Sequence, residues 1–300
     1  MPVRPTFVAA VLLVSVLGVS LSGPLVRLST AHPIAIAVWR LAFSLVLITI
    51  PLLARGSWRQ WRTLDRKAFA FAGAAGVLLA AHFWSWNTSI GLTTIAASVV
   101  LVNVQPLVVA TLSALWLREP PTRLQWAGIT IAMLGAVVVV LPDILTGGGI
   151  STNARALLGD ALALIGAVTA AGYYVIGRRL RQTLDLWAYV ALVYGACLVA
   201  LLVMALALNV RLGPYPPREY GIFALLALGP MLLGHTGMNW ALRHARAYQV
   251  NIVLLGEPIG ATLIAAFLPG IRERPTIMTL VGGVIILAGI LLAERRRSTD

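Results

Sequence analysis

Two pairs of polar residues recur at the same spacing inside otherwise apolar stretches. His82 and Trp86 stand four residues apart, and so do His235 and Asn239. On a helix that spacing puts both members of a pair on one face. An imidazole or an amide can donate and accept hydrogen bonds, while an indole offers a flat apolar wall. Such a surface suits a small zwitterion with an apolar side chain. The alternative reading has each histidine merely bonding the backbone of a neighbouring helix.

Further along each stretch a proline follows polar residues: Asn103 and Gln105 before Pro106, then Asn251 and Glu257 before Pro258. Proline lacks an N–H and frees a carbonyl on the preceding turn, so a kink with exposed backbone acceptors is expected at each site. A bent helix can gate; it can also simply shape packing. The run Gly256-Glu257-Pro258-Ile259-Gly260 reads in addition as a small-xxx-small contact surface. Glu257 is the one carboxylate deep within an apolar stretch, and Arg40 the one basic residue. An unpaired charge at such depth is costly. Glu257 is therefore protonated, facing water or paired, and its role is either proton coupling or structural, with Arg40 as one available partner. Tyr173 and Tyr174, with Tyr194, have hydroxyls able to reach the same cavity, and Tyr173 and Tyr194 complete the expected binding set of His82, Trp86, Asn103, Gln105, His235 and Asn239.

The elements that must hold these residues are membrane helices. Of 300 residues 59% are hydrophobic and 11% charged, against roughly 25% charged in an ordinary soluble domain. Ten apolar stretches have about the 17 to 25 residues a helix needs to cross the hydrocarbon core, centred near residues 16, 44, 78, 105, 132, 166, 197, 230, 257 and 284. Lipid cannot satisfy backbone polar groups, so apolar segments of this length are helical; the period-two alternation of a barrel strand is absent. The first stretch, residues 7–25, lacks a small-x-small cleavage pattern and reads as a spanning helix rather than a secretory signal. Cys197 is the single cysteine, which excludes an intrachain disulfide and a cysteine-based metal site.

The net charge of +13 is distributed by side rather than clustered for nucleic acid. With the N-terminus inside, sixteen of the 23 Lys and Arg residues fall in inner loops and ends, six fall outside, and the remaining one is Arg40. That bias sets orientation and places both termini in the cytoplasm. Trp58, Trp61, Trp116, Trp126, Trp187 and Trp240 fall near span ends and fit an interfacial belt.

The two halves match. His82 aligns with His235 and Gly76 with Gly229 without a gap; small shifts of register bring Gln105-Pro106 onto Glu257-Pro258, and Glu119, Pro121, Thr122, Gly128 and Gly135 onto Glu273, Pro275, Thr276, Gly282 and Gly289. Five crossings separate equivalent points, so the halves are expected to be inverted, as in secondary transporters. The expected organisation is a first repeat over residues 1–141, a glycine-rich outer connection over 142–155, and a second repeat over 156–300.

These features resemble the drug/metabolite transporter superfamily, specifically its ten-helix members built of two five-helix EamA-type repeats. The resemblance rests on Gln105-Pro106-Leu107 and Glu257-Pro258-Ile259, on Arg118-Glu119, on the Gly128/Gly135 and Gly282/Gly289 spacings, and on Arg40 within Trp39-Arg40-Leu41-Ala42-Phe43. It implies an all-α integral membrane protein of ten helices that exports small organic metabolites by alternating access. Within the superfamily the chain is similar to bacterial amino-acid exporters, including those for aromatic amino acids; multidrug, nucleoside or polyamine export on the same fold is the alternative. The expected location is a bacterial-type inner membrane, with a small molecule and the bilayer as partners and no cofactor; monomer and homodimer are left open. The chain has no Walker sequence and no His-Glu-x-x-His site, so neither an ATP motor nor that zinc chemistry is encoded. A lipid-modifying membrane enzyme, the rival from another class, would need a nucleophile and base or a metal cluster at one interface.

Overall fold

The computed structural model describes residues 3–93, 98, 101–145, 154–267 and 277–294, and every regular element among them is helical. The first half comprises α1 (Pro5–Ser20), α2 (Ser22–Leu28), α3 (Pro33–Ala54), α4 (Arg66–Leu92), α5 (Gln105–Leu112) and α6 (Arg123–Leu145). The second comprises α7 (Ala154–Leu180), α8 (Leu186–Ala207), α9 (Pro217–Leu226), α10 (Gly237–Ala241), α11 (Ala247–Val253), α12 (Glu257–Phe267) and α13 (Ile277–Glu294). Between α9 and α10 the backbone continues as a π-helix over Ala227–Thr236 with Pro230 inside it. Among the described residues six runs are long and apolar enough to cross a bilayer, α1 with α2 forming one and α9 through α10 another.

Helix starts follow local chemistry. Asp65 accepts from the Ala68 amide (2.7 Å) at the head of α4, and Asp185 from the Trp187 (2.8 Å) and Ala188 (3.2 Å) amides at the head of α8. These carboxylates satisfy donors that have no partner within the helix. Pro5, Pro33 and Pro217 occupy first turns, where a missing N–H costs nothing. The outward faces are apolar: Leu206 is 81% exposed and Ile277 78%, surface that water would penalise and lipid accepts.

Inside the bundle α4 packs on α7 and α8, α3 packs on α8, α1 packs on the π-helix, α10 and α12, and α5 packs on α7 and α11. A close crossing joins α6 to α13. Gly128 lies against Gly289, and Gly135 against Gly282, so the two helices run antiparallel with backbones touching. Only a residue without Cβ permits that approach.

At the edges of the connection expected over 142–155, α6 extends to Leu145 and α7 starts at Ala154. Residues 146–153, with the glycine triplet, lie outside the described residues, as do Glu273, Pro275 and Thr276 of the repeat and the C-terminal arginines from 295 onward. A short turn over residues 242–246 joins α10, which ends at Ala241, to α11, which begins at Ala247.

Candidate functional site

A cavity of about 60 Å³ lies in the middle of the bundle, with walls from both halves. α4 contributes His82, Phe83 and Trp86; the turn before α5 and its first residues contribute Asn103, Gln105 and Pro106. From the second half come Tyr174 of α7, Pro230 and His235 of the π-helix, and Glu257 at the head of α12. The chain breaks where the prolines stand. Asn103 and Val104 form a turn, Leu254–Gly256 a 3-10 turn, and the helices restart at Gln105 and Glu257 with Pro106 and Pro258 as second residues. There a proline sacrifices no helical hydrogen bond. The breaks are tied to each other, since the Gln105 amide donates to the Asn251 side-chain oxygen, and the Asn251 amide donates to the Ala247 carbonyl (2.9 Å).

The two histidines face one another, with ring centroids 6.4 Å apart. The His82 and Trp86 rings are parallel within 2° at 6.3 Å, as the four-residue spacing on α4 allows. His82 Nδ1 lies 2.9 Å from the Gly166 carbonyl. A carbonyl only accepts, so Nδ1 carries the hydrogen and the other ring nitrogen is left as an acceptor. His235 Nδ1 lies 3.4 Å from the Tyr174 hydroxyl, with the two rings nearly parallel.

Three residues of the expected binding set stand behind this wall. Tyr173 and Tyr174 are neighbours on one helix and point about 100° apart, so only one can face the cavity, and it is Tyr174. Tyr173 instead accepts from the Asn239 amide, which also donates to the His235 carbonyl (2.7 Å). Tyr194 bonds the Thr236 hydroxyl (3.1 Å). These bonds brace the π-helix that carries His235 and engage the two tyrosine hydroxyls and the Asn239 amide nitrogen, while the Asn239 side-chain oxygen has no partner.

Arg40 also lies outside the lining. It is 1% exposed and stacks its guanidinium 4.2 Å from the Phe83 ring centroid. None of its three nitrogens has a hydrogen-bond partner, so no bond to Glu257 forms. Phe83 and Pro230 were not anticipated from the sequence, where the adjacency of Phe83 to His82 was the only signal; Tyr174, expected to reach the cavity with its hydroxyl, is part of the lining although the expected binding set held Tyr173 instead.

Polar groups tie the two halves together at both ends of the bundle. At one end Arg178 bridges to Glu119 (2.8 Å) and donates to the Leu242 carbonyl (2.7 Å), while Tyr248 donates to Gln125 (3.0 Å). His244 at this end is held below the usual histidine range, by burial first and then by the guanidinium groups of Arg181, Arg243 and Arg178. At the other end Glu219 accepts from the Ser29 hydroxyl and from the amide and hydroxyl of Thr30 (3.1 Å each).

A multi-pass helical bundle with apolar flanks and a small central chamber lined from both halves is the architecture of a membrane transporter. The chain belongs to the EamA-like transporter family, whose description matches residues 6–141 and 157–294. It is 27% identical over 275 residues to an uncharacterized transporter of Archaeoglobus fulgidus, covering 88% of this chain and 90% of that one. It is 28% identical over 238 residues to the pseudopaline exporter of Pseudomonas aeruginosa, covering 78% of each. A solved crystal structure shares the fold with a TM-score of 0.79 at 17% identity, over 97% of each chain.

Proposed function

We propose that the protein exports small amino acids, neutral and aromatic ones included, across a bacterial-type inner membrane as a secondary transporter. The observation that carries this reading is the His82 and His235 pair facing across one chamber whose wall alternates apolar rings with amides and a single carboxylate. Such a wall offers hydrogen bonds to a zwitterion and flat surfaces to its side chain, and it lacks the cluster of cations that a phosphorylated solute requires. At about 60 Å³ the chamber is far below the roughly 300 Å³ at which ligand clefts begin, so loading demands that the helices part on one side.

That motion fits alternating access by two inverted five-helix repeats of a ten-helix bundle. Exchange of the halves carries the contact of α4 with α7 onto that of the π-helix with α1, and carries the Gly128 and Gly289 contact onto that of Gly282 and Gly135. The helix breaks at Pro106 and Pro258, bound to each other through Gln105 and Asn251, supply the bending points. The sixteen-to-six division of positive residues supports cytoplasmic termini, which makes the Glu119 and Arg178 bridge the inner closure.

Counterflow in proteoliposomes loaded with labelled amino acids tests the substrate class. Exchange of at least one neutral amino acid is expected. If none exchanges while larger metabolites or drugs do, the second reading takes over. That reading, export of a bulkier metabolite on the same scaffold, draws support from the relative named as a pseudopaline exporter.

A further inference from the structure

Among the described residues two arginines are buried in the bundle, and they are treated in opposite ways. Arg181, 2% exposed, donates through Nε to the Asn239 carbonyl (2.9 Å) and through Nη1 to the Leu184 carbonyl. This is how a buried structural cation is accommodated, with carbonyl oxygens replacing water. Arg40 is buried as deeply and has no such replacement, since Nε, Nη1 and Nη2 all lack a partner. A guanidinium stays protonated and brings five N–H donors in a fixed fork. Leaving all of them empty in a low-dielectric interior is among the most costly arrangements open to a side chain, unless a partner arrives during the working cycle.

The surroundings say what that partner is. Phe83, against whose face Arg40 stacks at 4.2 Å, is itself part of the chamber wall and meets His235 edge-on at 5.4 Å. The guanidinium thus stands one ring behind the chamber. Trp86, on the same helix face as His82, presents a second buried donor without a partner, its Nε1. Against these unfilled donors the chamber sets acceptors, the Glu257 carboxylate and the free nitrogen of His82. Unfilled donors suited to an anion, set just behind the chamber wall, and acceptors suited to a cation on that wall match the two ends of an α-amino acid.

We propose that Arg40 is the anchor for the substrate carboxylate, screened by Phe83 in the closed chamber and reached when that ring swings aside as the helices part. The inference rests on the amino-acid reading above and adds the residue that decides it. The ammonium group turns toward Glu257 and His82, the carboxylate takes the guanidinium fork with help from Trp86, and the side chain lies along the rings.

The test compares uptake of phenylalanine, leucine and alanine with uptake of their carboxamides, in proteoliposomes holding the wild type, Arg40→Gln or Arg40→Lys. A charge-assisted bidentate contact favours the acids over the amides by about tenfold or more, and this preference is expected in the wild type. Arg40→Gln is expected to cut acid uptake by a similar factor while amide uptake stays within about twofold, bringing the ratio near one. Arg40→Lys, a point charge in place of a fork, is expected to fall between. Acid and amide uptake falling together in Arg40→Gln overturns the anchor and makes Arg40 a packing element; an unchanged ratio overturns it as well. Should Arg40→Gln fail to reach the membrane, Arg40→Lys decides, and a wild-type ratio there is the overturning result. A wild type that carries none of the amino acids fails at the earlier step and refutes the amino-acid reading itself.

Discussion

Gly128 and Gly289 meet backbone to backbone: a methyl group added at Gly128 would sit 2.6 Å from the Gly289 carbonyl oxygen and 2.7 Å from the Ala293 amide nitrogen. Neither of those atoms can move without shifting a helix. Gly128→Ala is therefore expected to destabilise the protein by about 1–3 kcal/mol, the usual range for forcing extra volume into a packed interface. Gly73→Ala in α4, where nothing lies within 4 Å, is expected to be neutral or slightly stabilising, since alanine is the better helix former. Thermal unfolding in detergent of the two variants checks this; equal melting curves would remove the close crossing.

Trp86 forms part of the chamber wall. Its replacement by Ala is expected to remove an apolar contact of roughly 1–3 kcal/mol and to slow export of bulky amino acids more than of small ones, with the protein still reaching the membrane. Transport assays over a side-chain size series measure the difference. Unchanged selectivity in a well-folded variant would show that the indole serves packing alone.

Glu257 and Gln105 occupy matching places in the two halves, each heading a helix just before its proline. Because the position is filled once without a titratable group, Glu257→Gln is expected to lower substrate exchange and pH-gradient-driven accumulation together. An assay pair in proteoliposomes, one with a gradient and one without, separates the outcomes. Loss of gradient-driven accumulation alone would assign the coupling proton to Glu257.

Orientation is open to a direct measurement. Reporters fused after Arg62 and at the C-terminus are expected to read cytoplasmic, and one inserted near Gly148 external. Opposite readings at all three sites would invert the bundle, and different readings after Arg62 and at the C-terminus would leave an odd number of crossings between them, incompatible with the eight that paired five-helix halves require.

Much of this architecture is legible from the chain because its causes are local. A membrane environment follows from apolar runs too long for anything else, and breaks at 103–106 and 254–258 follow from prolines whose missing N–H acts on the adjacent turn. The glycines at 128, 135, 282 and 289 announce a close helix crossing, since a residue without Cβ in a membrane helix marks a surface where another backbone can approach. Spacing likewise puts His82 and Trp86 on one face. What spacing leaves open is which way a face turns, because that depends on the helices packed around it. Only the assembled bundle decides that Tyr174 rather than Tyr173 looks into the chamber, that the Asn239 amide nitrogen braces Tyr173 and the His235 carbonyl, and that the segment carrying His235 widens into a π-helix. The same holds for the two charges. Depth in the sequence marks Arg40 and Glu257 as exceptional, but whether they meet is a matter of distances between α3 and α12, and the tertiary structure leaves Arg40 stacked on Phe83 with its donors empty.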